Sequence, residues 1–311
     1  MIKRTLYFGN PAYLSRKNDQ LVVRLPEVEK NETLPEHFKR DAQAIIPIED
    51  IGVIILDEQR LVITQSLIEG LLENNVALIT CDKTHHPTGM MLNLRANKLQ
   101  SAKFKAQLAA GQPLVKQLWQ QTIKAKLTNQ ASLLKRFNTE SGNMIRWASE
   151  VKSGDPDNLE ARGAAYYWKN LFPEIKNFKR EREGLPPNNL LNYTYAILRA
   201  VIARSLVGSG LLPTLGIHHR NQYNHYCLAD DIMEPYRPFA DALVVEIIRN
   251  GEDYTELTTS VKRQLLGIAS VDVILEDERS PLMVAAQRTT ASLTKCFEGA
   301  TKKILYPELP N

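Results

Sequence analysis

Val76-Ala77-Leu78-Ile79-Thr80-Cys81 runs into Asp82-Lys83-Thr84-His85-His86-Pro87, an apolar strand-like stretch that stops at a polar, proline-ended break. The patterns on the two sides of that break differ. Upstream, short β-branched runs alternate with turn residues: Thr5-Leu6-Tyr7-Phe8 before Gly9-Asn10-Pro11, Leu21-Val22-Val23-Arg24-Leu25 after Lys17-Asn18-Asp19, then Ile51-Gly52-Val53-Ile54-Ile55-Leu56. One helix is expected here, Leu67 to Asn74, capped by Thr64 or Ser66. Downstream, amphipathic helical periodicity covers roughly 92–110, 113–137, 140–152, 157–172, 188–208, 227–250, 255–267 and 281–304, with Gly and Pro at the borders. The pattern predicts an α+β chain of two domains. Residues 1–85 form a β-rich, sandwich-like domain with one inserted helix, residues 86–92 a linker, and residues 93–311 a larger all-α domain.

Composition narrows the function classes. With 43% hydrophobic and 24% charged residues, the 311-residue chain is that of an ordinary globular protein. No run of about 18 apolar residues predicts a membrane span, and MIKRTLYFGNP lacks a signal-peptide core, so a cytoplasmic protein is expected. Cys81, Cys227 and Cys296 are odd in number and widely spaced, which argues against a disulfide framework or a thiolate zinc site; their expected role is as small core residues. A net charge of +4 tilts toward an anionic partner, and basic residues cluster at Lys176, Lys179, Arg180 and Arg182, at Lys262-Arg263 and at Lys302-Lys303. Such clusters also serve as plain solvated faces.

Three segments of the helical half place ionisable groups where apolar ones are expected. Glu160 heads a helical face that continues through Ala164, Tyr167 or Trp168, and Leu171, with Asp155 or Asp157 as the cap. Burying its carboxylate there costs several kcal/mol unless it is paired or metal-bound; the plainer reading has it favouring the helix N-terminus or pairing with Arg162 or Lys169. His218 and His219 close the turn Gly210-Leu211-Leu212-Pro213-Thr214-Leu215-Gly216-Ile217, as metal ligand, proton carrier or hydrogen-bonded spacer. Adjacent side chains diverge, so at most one of the pair reaches a given ion. Glu234 shares a helical face with Asp230 and Asp231, like charges that repel unless a cation neutralises them, although they also suit the N-terminus of a helix begun by Pro235. Glutamate, histidine and a carboxylate pair together suit Mg²⁺ or Mn²⁺ better than zinc, for which no HEXXH spacing exists.

At these segments the sequence resembles the CRISPR-associated integrases, the endonuclease subunit of the CRISPR adaptation complex. The resemblance runs through the N-terminal strands, Asn188-Asn189-Leu190-Leu191-Asn192-Tyr193-Thr194-Tyr195-Ala196, and two stretches similar to the family patterns GLxPxxGxxH and DLMExxRP, at 210–219 and 231–238. The wording HHRNQYNHYCLADD at 218–231 resembles the version found beside the type II effector nuclease. The resemblance implies that Glu160, His219 and Glu234 are the catalytic residues and ligands of a divalent ion, with Asp231 as an auxiliary acid. Two histidines stand where the family pattern usually has one. It further implies a homodimer formed through the β-rich domain, a small adaptation partner protein together with other type II adaptation proteins, and double-stranded DNA partners, namely a short fragment and the CRISPR repeat. The implied reaction is transesterification, a fragment 3′-hydroxyl attacking a phosphodiester at the repeat edge. A general metal-dependent nuclease or junction-cleaving repair enzyme would use the same residues with water as nucleophile. A DNA-binding scaffold with purely structural acids would need none of them.

Overall fold

The apolar run at 51–56 forms a strand buried along Ile51–Ile55, with neighbours on both sides. Continuous burial is what a parallel strand covered on both faces requires, and it explains a sequence with no polar alternation. In the computed structural model, which describes residues 3–30, 35, 37, 39 and 42–310, contacts divide the chain into two units between Ala96 and Asn97. The chain is a mixed α+β protein with a β-rich N-terminal region and a mostly helical remainder.

The first unit contains β1 (Arg4–Phe8), β2 (Tyr13–Lys17), β3 (Gln20–Arg24), α1 (Pro26–Glu29), β4 (Ala44–Pro47), β5 (Ile51–Leu56), β6 (Val62–Ile63), α2 (Gln65–Glu73), β7 (Ala77–Cys81) and β8 (Pro87–Met91). One sheet has the order β1-β5-β7-β8 and the other β4-β3-β2-β6. Strands β1, β5 and β7 are parallel, and α2 supplies the crossover that a parallel β5–β7 pair needs. Leu14 and Leu21 of one sheet, Ile51, Ile54 and Leu78 of the other, and Leu67 and Leu71 of α2 share one core. Asn18 and Asp19 take positive φ in the tight β2–β3 turn, the geometry a two-residue hairpin demands.

The break after β7 is a hairpin turn and not the start of a linker. Asp82 Oδ1 accepts from Thr84 N at 2.8 Å and His86 N at 3.1 Å, and the chain returns as β8, antiparallel to β7. His85, at φ 64°, reaches buried Asp57 through Nδ1 at 2.9 Å, and Tyr7 Oη donates to the same carboxylate at 2.5 Å. The strand Pro87-Thr88-Gly89-Met90-Met91 has a glycine at its centre and no apolar β-branched or aromatic residue, so it gave no strand signal of its own; pairing to β7 supplies its order.

The second unit contains α3 (Gln100–Leu108), α4 (Gln112–Arg136), α5 (Gly142–Glu150), α6 (Leu159–Leu171), α7 (Asn188–Gly208), α8 (Cys227–Met233), α9 (Arg237–Arg249), α10 (Thr259–Leu266), the strands β9 (Asp272–Leu275) and β10 (Glu278–Pro281), and α11 (Leu282–Phe297). The half expected to be all-α therefore holds an antiparallel hairpin, turning at Glu276 and Asp277 with positive φ. The helical run expected over 227–250 is broken by a 3₁₀ turn at Glu234–Tyr236, where Pro235 cannot donate a backbone hydrogen bond. Among the described residues no helix is long and apolar enough to cross a membrane. All three cysteines are free, Cys227 and Cys296 buried.

Two features fix α4. Gly163 of α6 passes so close that an added Cβ would meet Leu127 Cδ2 at 2.1 Å, and Leu127 is fully buried. Gly163→Ala is expected to lose about 1–3 kcal/mol to overpacking against about 1 kcal/mol gained in helix propensity; a reduced Tm in a thermal melt checks the sign. Residues 302–309 lie along α4 as a strap. Gln121 donates to Lys302 O at 2.9 Å and accepts from Ile304 N at 3.0 Å, while the Thr122 and Tyr306 hydroxyls meet at 2.8 Å. Buried Asn129 donates to Pro307 O at 2.9 Å and to Pro235 O at 2.8 Å, and accepts from Leu309 N at 3.1 Å. It ties the strap to the turn that carries Glu234.

Candidate active site

Asp155 caps α6 by accepting from Leu159 N at 2.9 Å and Glu160 N at 3.0 Å, which sets Glu160 at the helix head. Its partner is neither Arg162 nor Lys169 but Lys126 of α4, whose Nζ donates to Glu160 Oε1 at 2.8 Å. The same Nζ lies 2.6 Å from Glu234 Oε2. Lys126 and Glu234 are buried, at 7% and 5% exposure. Burial alone would lower the lysine pKa; Glu234 and Glu160 outweigh it and hold the ammonium above its ordinary value.

Glu234 is held from the other side by Arg237 Nε at 2.8 Å. Burial works to raise its pKa, but Arg237 and Lys126 prevail and bring it down to about 2. Arg237 in turn lies over the Tyr195 ring at 4.5 Å. The Tyr195 hydroxyl donates to Asp241 Oδ1 at 2.5 Å, and Tyr167 donates to Oδ2 at 2.7 Å. Burial pushes the Asp241 carboxyl up to about 6 in spite of those two bonds. A continuous polar chain thus runs from Asp241 through Tyr195 and Arg237 to Glu234, and through Lys126 to Glu160.

The histidine turn is built on Asp231. Its buried carboxylate accepts from His218 N at 2.9 Å, from His219 N at 3.2 Å and from His219 Nδ1 at 2.5 Å. The His219 pKa is raised, chiefly by that side-chain bond. Gly216 makes the turn possible: a Cβ there would meet His219 O at 2.4 Å and Asp231 Oδ2 at 2.7 Å. His218 instead stacks flat on Trp119, with centroids 4.0 Å apart and planes 2° apart. With Nδ1 engaged, His219 presents Nε2 from a side chain that is 42% exposed.

Sequence periodicity grouped Asp230, Asp231 and Glu234, and the fold separates them. Asp230 bonds Arg199 Nε at 2.6 Å and Asn224 Nδ2 at 2.7 Å, Asp231 serves the histidine turn, and Glu234 meets Lys126 and Arg237. Among the described residues no three His, Cys, Asp or Glu groups are drawn close enough to hold an ion. The basic clusters are only partly solvated. Arg180 turns inward to Asn188 and Asn192, and Lys262 is buried beside the Tyr193 ring.

Residues 6–266 match the family model described as CRISPR associated protein Cas1. The chain is 38% identical over 316 residues to a CRISPR-associated endonuclease Cas1 of Neisseria meningitidis serogroup C, covering 99% of this chain and 97% of that protein. The chain belongs to the Cas1 family. A Cas1 relative from Pyrobaculum aerophilum is 25% identical over 271 residues, covering 83% and 91% of the two chains. Among solved structures, a casposase bound to integration product superposes with a TM-score of 0.76 at 18% identity, covering 98% of this chain and 92% of that one. A Cas1 protein from Thermotoga maritima gives 0.71 at 14%, covering 95% and 97%. At those identities the likeness is one of fold.

For a Cas1-family chain, the residues that sequence reasoning missed are Lys126, Arg237, Asp241 and Asn129. Lys126 carried a readable signal. It stands seven residues after Trp119 and three after Ile123, on the buried stripe of α4, where a lysine needs a partner. Arg237 carried one too, standing three residues after Glu234 at helical spacing, whereas Asp241 and Asn129 gave none, because their partners come from distant segments.

Proposed function

We propose that this chain is a divalent-metal-dependent DNA integrase and endonuclease that inserts short DNA fragments into a CRISPR array, with Glu160, His219 and Glu234 as the metal ligands. One observation carries the reading. Carboxylates from α6 and from the 3₁₀ turn, far apart in sequence, reach one common cation position, the point that Lys126 Nζ touches. The donor set fits Mg²⁺ or Mn²⁺: hard carboxylate oxygens, plus an imidazole whose Nδ1 is fixed by a carboxylate, leaving Nε2 for an ion. Bound there, the ion would stabilise charge on the phosphoryl oxygens and favour the alkoxide form of the attacking 3′-hydroxyl.

The protein's own groups set that position. Asp231 orients the His219 ring, Arg237 and the Asp241–Tyr195 pair orient Glu234, and Asp155 fixes the helix end that carries Glu160. His219 is placed to give Nε2 to the ion while Asp231 holds Nδ1. His218, occupied with Trp119, is assigned no catalytic part. Exposed Lys176, Lys179, Arg182, Arg263, Lys302 and Lys303 are assigned to DNA phosphates, with steep salt dependence. The name of the Neisseria relative, a CRISPR-associated endonuclease, supports the cleavage part of this reading. A solved Cas6-RT-Cas1–Cas2 complex that shares this fold at a TM-score of 0.72 supports a small adaptation partner. We assign homodimerisation to the β-rich unit.

The test is strand joining of a short duplex to a repeat-containing target in Mg²⁺ or Mn²⁺, with Glu160, His219 and Glu234 replaced singly by alanine. Each variant is expected to lose at least about 100-fold in rate, the scale on which single electrostatic groups act. Full activity in all three would overturn the assignment. Cleavage of generic DNA without joining at the repeat would reduce the enzyme to a nuclease.

A further inference from the structure

Lys126 is placed as an ion would be placed. Its ammonium touches one oxygen of Glu160 and one of Glu234, and it comes from neither of their elements. Lys126 belongs to the buried stripe of α4 that also carries Ile123 and Leu127, both fully buried. The same helix is pinned one turn later, where Asn129 holds the carbonyl of Pro235, the residue after Glu234. The ammonium is thus delivered to the two acids from a fixed support. A divalent ion that used both acids would need the space that Nζ occupies, since metal–oxygen distances of about 2.0–2.1 Å for Mg²⁺ are shorter than either contact.

We infer that Lys126 is the resident cation of the site: it holds Glu160 and Glu234 in the ion-free protein, and a divalent ion binds by displacing it. The inference rests on the ligand assignment proposed above. Two opposite consequences follow from the one side chain. Without an ion, the lysine keeps two carboxylates from repelling each other inside the protein. When an ion arrives, the lysine competes with it, so apparent affinity falls by the fraction of time the ammonium holds the acids. Lys126 therefore raises the free-ion concentration at which the site is half loaded.

The experiment measures Mn²⁺ binding by isothermal titration and by Mn²⁺ electron paramagnetic resonance in the parent and in Lys126→Met, which keeps length and apolar volume but loses the charge. Lys126→Arg serves as the charge-retaining control. The methionine variant is expected to bind Mn²⁺ at least tenfold more tightly, to melt lower in chelator, and to gain more Tm from Mn²⁺ than the parent. The arginine variant is expected to bind no more tightly than the parent. Equal or weaker binding by Lys126→Met would overturn the exchange while leaving the ligand assignment intact. No binding by the parent or by Lys126→Met would overturn the ligand assignment, and the exchange with it. If Lys126→Met does not fold, the parent alone decides, through amine labelling of Lys126 read by mass spectrometry with and without Mn²⁺. Displacement is expected to change its labelling rate several-fold, and an unchanged rate would overturn the exchange.

Discussion

Glu234→Ala is expected to lower the stability of the ion-free protein by about 3–5 kcal/mol, the usual cost of leaving buried charge without its partner. Glu234 is nearly inaccessible and faces Lys126 on one side and Arg237 on the other. Removing it strands two cations, and Glu160 can compensate only Lys126. Glu160→Ala is expected to cost less, because Glu160 is a quarter exposed and Glu234 remains to serve the lysine. Urea unfolding at unchanged slope is the measurement. The same residue sets an acid limb. Its folded pKa of about 2 lies below the ordinary 4.5, so the folded state binds fewer protons than the unfolded one between those values. The contribution is fully present above pH 4.5 and is lost as the pH falls toward 2. In Glu234→Gln that part of the pH dependence is expected to vanish. A Glu234→Ala variant as stable as its parent would mean that water already screens the cluster.

Asp231→Asn is expected to cut strand joining by about 10–100-fold, the range found when a carboxylate that orients a metal-binding histidine is removed. Asp231 accepts three N–H groups, two from the backbone and one from the His219 ring. An amide offers one acceptor oxygen and turns its NH₂ toward one of those donors. The ring then rotates or changes tautomer, and Nε2 no longer points where the carboxylate directed it. The stability cost is expected to be about 1–3 kcal/mol, that of a buried donor left unsatisfied, so far-UV circular dichroism should stay that of the parent while activity falls. Asp230→Asn is the control, since Asp230 bonds Arg199 and Asn224 and does not touch the histidine turn. Equal losses from both variants would mean that Asp231 acts only by supporting the fold.

What the sequence made legible was local. β5 and β7 announced themselves by unbroken apolar runs, α4 and α7 by long amphipathic periods, and the turn at Asn18-Asp19 by residues that tolerate positive φ. Strands that owe their order to a neighbour were invisible: β8 pairs with β7, and β9 pairs with β10 and with Glu308. The same division holds at the site. Glu160, the pair His218-His219 and Glu234 stood out as ionisable groups in apolar settings, and only the family resemblance chose His219 from its pair. Their partner Lys126 did not, because it reaches them by the crossing of helices and not by spacing along one, whereas Arg237 stands three residues after Glu234, within reach of a spacing argument. The grouping of Asp230 with Asp231 and Glu234 was correct as helical geometry and misleading as chemistry, since three side chains on adjoining turns found three different sets of donors.

The strap along α4 bears on how the chain comes into being. Asn129 bonds partners that lie 106 and 180 residues further along, so its amide waits for those residues to be made before the groups that satisfy it exist. Translation at about 5–20 residues per second leaves that interval at many seconds, during which the N-terminal strands and the earlier helices are already available to pack. The Pro235 carbonyl, one residue from Glu234, gains its clamp early, but the clamp itself is steadied only when residues 307–309 have left the ribosome. A stop codon around position 300 would thus leave most of the apolar core intact and still deliver an enzyme whose acid turn rests on an unfinished hinge.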